Sequence, residues 1–90
     1  MENTEQEALR ALYSDVTQQI FIAERLDDDQ SPDDERLAAW AEVSQTEEVI
    51  ASTLALSAVE RGIAQRGAIA AAEKSGNKAR ADALRQQYGI

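Results

Sequence analysis

The nine residues Asp27-Asp28-Asp29-Gln30-Ser31-Pro32-Asp33-Asp34-Glu35 interrupt this chain more strongly than any other stretch, and they contain its sole proline. Six carboxylates flanking an X-Pro step cannot be buried together and cannot continue a helix. The chain must turn here. Ser31 reads as an N-cap and Pro32 suits a first helical turn. Asp33, Asp34 and Glu35 complement the positive end of a helix dipole. The pattern predicts an αα-hairpin whose acidic turn spans 27–31.

Before the turn, Leu9, Leu12, Val16, Ala23 and Leu26 recur at spacings of three, four and seven, and Tyr13 and Ile20 widen the stripe. Thr4 and Glu7 have capping-box spacing, so a helix is predicted over about 5–26. Phe21 and Ile22 extend apolar surface beyond that face. After the turn, Leu37, Trp40, Ala41 and Val43 open a second helix, predicted over about 32–75. Ser44-Gln45-Thr46-Glu47 resembles another capping box, so a break near 44–46 is the alternative to one continuous helix. Val49, Ser52, Leu56, Val59 and Ile63 then form a regular stripe. Ala51, Ala55, Ala58 and Gly62 form a small-residue row beside it, which permits close helix approach. Residues 49–59 carry no charge, which predicts cover on more than one side. Gly76-Asn77 reads as a C-cap and turn. A short last helix is predicted over about 78–87, with Ala81, Leu84 and Tyr88 on one face.

Seventeen of the 39 hydrophobic residues are alanine, which favours helix but buries little area per residue. A chain of 90 residues without cysteine has no disulfide to compensate for a modest core. The fold class expected is therefore all-α: a long antiparallel helical hairpin of three to four helices, the last one short, within a single helical domain over 1–90. The missing burial is expected to come from self-association into an oligomeric helical bundle.

The absence of His and Cys excludes Ser-His-Asp and Cys-His nucleophiles, CxxC redox pairs and imidazole or thiolate zinc sites. No uncharged run reaches membrane-spanning length, and the acidic N-terminus is unlike a signal peptide, so a cytoplasmic protein with no membrane association is expected. Charge is segregated: residues 1–48 carry a net −11 and residues 49–90 a net +3. Such asymmetry orients association.

Asp27, Asp29, Ser31 and Asp33 alternate as the first ligands of an EF-hand do. Pro32 then stands where that loop needs glycine, and Ala38 where it needs a bidentate glutamate. A solvated turn is the better reading, and neither metal nor cofactor is expected. Arg61 and Arg66, around Gly62 and Gly67, lack the Gly-Lys-Ser/Thr of a phosphate loop. Those glycines mark close packing or a weak point in a long helix. Trp40 belongs with Leu37 and Val43 in the core. Glu60 reads as an ion-pair or interface residue rather than a catalyst.

The function expected is non-enzymatic: a structural, adaptor or regulatory protein acting through helix–helix contact, mainly with itself. Its interface would be Val49, Ser52, Leu56, Val59 and Ile63. Lys74, Lys78, Arg80 and Arg85 surround the apolar face of the last helix, so Arg80, Leu84, Arg85 and Tyr88 are expected to dock that tail on an acidic, apolar surface. The alternative is an acidic inhibitor whose Asp27, Asp28, Asp29, Asp33, Asp34 and Glu35 mimic phosphates and block a basic site on a nucleic-acid enzyme. Direct nucleic-acid binding is disfavoured by the net charge of −8.

Overall fold

A computed structural model describes residues 4–53 and 56–90. These form four α-helices: α1 (Thr4–Asp28), α2 (Asp33–Ala51), α3 (Ala58–Lys74) and α4 (Lys78–Tyr88). No strand occurs among the described residues.

The α1–α2 turn is built by the backbone. Gln30 adopts a left-handed conformation with φ of 53°. Its N–H donates to the Asp27 carbonyl, and the Ser31 N–H reaches back to that of Leu26 at 3.0 Å. This is a Schellman closure made without glycine. The helix then restarts one residue later than the sequence implies: Pro32 occupies the N-cap position and no side chain caps α2. The Trp40 indole N–H donates to Asp27 Oδ2 at 2.9 Å, while Arg36 bridges Asp27 and Asp33. The acidic turn is thereby fastened to α2.

Helix α2 runs through 44–46 without a break. Ser44 is buried, and its hydroxyl donates to the Ala68 carbonyl across the helix pair at 2.8 Å. The expected helix over 32–75 is interrupted later, between Ala51 and Ala58. There Ser57 caps α3: its Oγ accepts from the Glu60 N–H and donates to the Glu60 carboxylate. The Arg61 guanidinium donates to the Ala51 and Thr53 carbonyls at 3.0 and 3.1 Å, satisfying groups that the end of α2 leaves open. Ala55, a member of the expected small-residue row, lies outside the described residues.

The break changes helical phase, so the stripe from Val49 to Ile63 does not form one buried seam. Leu56 enters the core, but Val49, Val59 and Ile63 are 50%, 73% and 60% exposed, and Ser52 is exposed as well. At the described positions, the expected cover of 49–59 on more than one side is corrected accordingly.

The core follows the helix order. Val16 and Ala23 of α1 pack with Trp40, Val43 and Ile50 of α2 and with Ala64 and Ala71 of α3. A second cluster joins Ala68, Ile69 and Ala72 of α3 to Ala81 and Leu84 of α4. Among the described residues, close backbone approach links α1 to α2, α2 to α3 and α3 to α4. The chain measures 46 × 28 × 15 Å. Its accessible surface is 5976 Å², against roughly 5,200 Å² for a typical folded chain of 9.8 kDa.

Candidate interaction groove

α1 and α3 both pack on α2 with no close backbone approach to each other, and a groove runs between them with α2 as its floor. At one end Tyr13, Glu60 and Ile63 surround a hollow of about 230 Å³, and at the other Ile20, Gly67, Ala70 and Lys74 surround one of about 240 Å³. Glu47 borders both.

Glu47 sits here because α2 remains helical through Thr46, which turns residue 47 toward α3. Gly67 makes room for it: a Cβ at that glycine would stand 3.0 Å from the Glu47 carboxyl carbon. Burial pushes the Glu47 carboxyl above the usual carboxylate range. The Tyr13 hydroxyl is raised too, by burial first and then by the nearby Glu60 and Glu47 charges. Lys74 closes the other end, its ammonium 4.2 Å from the centre of the Trp40 ring, a cation–π contact. Two carboxylates beside a tyrosine, in shallow hollows open to solvent, offer polar anchoring within an apolar trough.

On its outer surface α3 displays Val59, Ile63, Arg66 and Ala70, all exposed. Phe21 and Ile22, 66% and 55% exposed, lie with Thr17 and Gln18 on α1.

The sites expected from sequence are dispersed. Val49 and Ser52 border a cavity of about 420 Å³ on another side of α2, near Arg61 and Tyr88. Val59 and Ile63 belong to the exposed side of α3, and Leu56 is internal. Of the tail residues, Leu84 is fully buried on α3 and Tyr88 is half-buried beside both core clusters. Arg80 pairs with Glu48, and Arg85 pairs with Glu73 at 2.6 Å and Asp82 at 3.0 Å. Burial raises the Tyr88 hydroxyl, with the Glu48 charge adding to it and Arg80 opposing it. In the acidic cluster, Asp27, Asp29 and Asp33 engage Arg36, Arg25 and Arg36 respectively. Asp28, Asp34 and Glu35 stand exposed. Among the described residues, no group of three acidic side chains is arranged to hold a metal ion, and no helix is long and apolar enough to cross a membrane.

Sequence reasoning missed the groove itself. Tyr13 and Ile20 were legible as an extension of the α1 stripe, but Glu47 carries a capping-box signature that conceals its position. The pairing of Glu47 with Gly67 has no local signal, because it depends on how α2 crosses α3.

No protein family, curated protein or solved structure matches this chain. Its functional reading therefore rests on the groove and the exposed helix faces.

Proposed function

We propose that this protein is a non-enzymatic helix–helix interaction module: an antiparallel helical hairpin, extended by α3 and α4, that self-associates and serves as a structural, adaptor or regulatory element. One observation carries this reading. A groove lies between α1 and α3 along α2, and its α3 wall continues into the exposed apolar residues Val59 and Ile63. Helices complete their burial by filling such grooves, and exposed aliphatic residues bordering one mark an interaction surface. The tail, docked within the chain by Leu84, supports the fold in this reading rather than recruiting a partner. A cytoplasmic setting suits a chain without cysteine.

The phosphate-mimic reading is less well supported, because three carboxylates of the acidic turn already face arginines of the same chain.

Light scattering coupled to size exclusion tests the proposal. The expected mass is at least twice 9.8 kDa at micromolar concentration. Ile63→Glu should return the protein to monomer while its circular dichroism stays helical, since a charge placed in an apolar contact is costly. A wild-type monomer throughout the accessible concentration range would refute the reading. So would an Ile63→Glu variant that associates as wild type does.

A further inference from the structure

Val59, Ile63, Arg66 and Ala70 follow one another on α3 at steps of four, three and four residues, forming one exposed seam beside the groove. Three features of this seam specify what covers it.

The first is area. The chain exposes 5976 Å², about 800 Å² more than the roughly 5,200 Å² typical of its mass. One partner contributes about 800 Å² to a standard protein–protein interface. The excess equals the share that a single further subunit would cover.

The second is charge. Glu47 is half-buried against Gly67, and no ion pair or hydrogen bond involves its carboxylate among the described residues. Arg66 is exposed, folded over Gly62 with its Nη1 3.6 Å from the site of a glycine Cβ, and no described acid pairs with it. The chain thus holds a half-buried carboxylate on α2, set against Gly67, and an unpaired guanidinium at the adjoining position of α3, and it does not join them. A second copy facing the first would join them twice.

The third is shape. Ala70 leaves the far half of the seam low, while Ile63 and Val59 make the near half high. A high half fits a low half only if the facing helix runs in the opposite direction.

The geometry points to a twofold dimer in which α3 packs antiparallel on α3 of a second copy, with Arg66 of each chain reaching the Glu47 carboxylate of the other. This inference rests on the self-association proposed above and assigns its surface and register. Twofold symmetry makes every contact occur twice. With Arg66 level with Gly67 of the other chain, Ile63 falls opposite Ala70. Glu47 gains the cation that its own chain does not provide, and Arg is the side chain best suited to such a partly buried pair.

A charge exchange tests the register. Arg66→Glu alone places four acids at the axis, and Glu47→Arg alone places four cations there. Each variant should weaken dimerisation by at least about tenfold, because a truncated or reversed interfacial charge pair is strongly unfavourable. Mixing the two variants should restore a dimer of wild-type affinity containing one chain of each, since both contacts are then of opposite sign. A cross-link provides a second reading that leaves the charges untouched. The chain contains no cysteine. Ile63→Cys mixed with Ala70→Cys should therefore form a disulfide-linked heterodimer on mild oxidation, while each variant alone forms little. If wild type dimerises but neither the exchange nor the cross-link behaves in this way, the register is wrong and self-association stands. If wild type remains monomeric, both readings fall.

Discussion

Withdrawing a carboxylate from water disfavours its charged form, and Glu47 shows this within the groove. Its folded pKa lies above the unfolded value, so the native state binds its proton more readily. Stability from this group is therefore greatest below the unfolded pKa and is lost as pH rises through the folded one. Glu47→Gln should accordingly melt higher than wild type at neutral pH, with the difference shrinking as pH falls through the carboxylate range. Scanning calorimetry on protein diluted to the monomer checks it, and a difference independent of pH would contradict it. The same residue shows where sequence reading reaches its limit. Ser44-Gln45-Thr46-Glu47 and Ser57-Ala58-Val59-Glu60 carry the same S/T-x-x-E pattern, yet only the second caps a helix. Ser44 instead satisfies its hydroxyl on the Ala68 carbonyl, 24 residues away. A short polar side chain that can bond locally can equally bond across a helix pair, and only the tertiary fold decides between them.

Among the elements, α4 is the one whose role its own sequence displays best. Ala81, Leu84 and Tyr88 share a face by periodicity, and the structure buries Ala81 and Leu84 completely against α3. Leu84→Ala should cost about 2–3 kcal/mol of stability in urea unfolding, in the lower part of the range for buried leucine because a small edge helix can partly collapse onto the space. Truncation after Gly76 should lower the melting temperature further by uncovering Ala68, Ile69 and Ala72. The ends of α1 and α4 were legible to within two residues, because acidic residues, glycine and asparagine mark them. The break after Ala51 was not, since serine, threonine, leucine and alanine there fit a helix or a turn equally. Missing it displaced the face assignments from Leu56 to Ile63. Leu56 illustrates the consequence: on a continuous helix it belongs to an assembly seam, but beyond the break it supports the core. Leu56→Glu would thus unfold the chain rather than separate subunits.

For the whole molecule, composition announced helix and scarce burial, and both are evident in four helices whose buried apolar residues are half alanine. What composition does not give is the packing order, in which α2 lies between α1 and α3. Hydrogen exchange should rank the helices accordingly. Amides in the middle of α2 should be the slowest, and those of α4 and the first turns of α1 should exchange by local opening. Uniform protection across all four helices would instead indicate a single cooperative unit. The contact pattern also determines how the chain responds to force. Close backbone packing joins each helix only to its neighbours in sequence, Arg80 of α4 adds an ion pair to Glu48 of α2, and among the described residues no helix contact ties α1 to α4. Tension applied at the termini would peel the outer helices away one by one, in small steps, with the α2–α3 pair the last to yield.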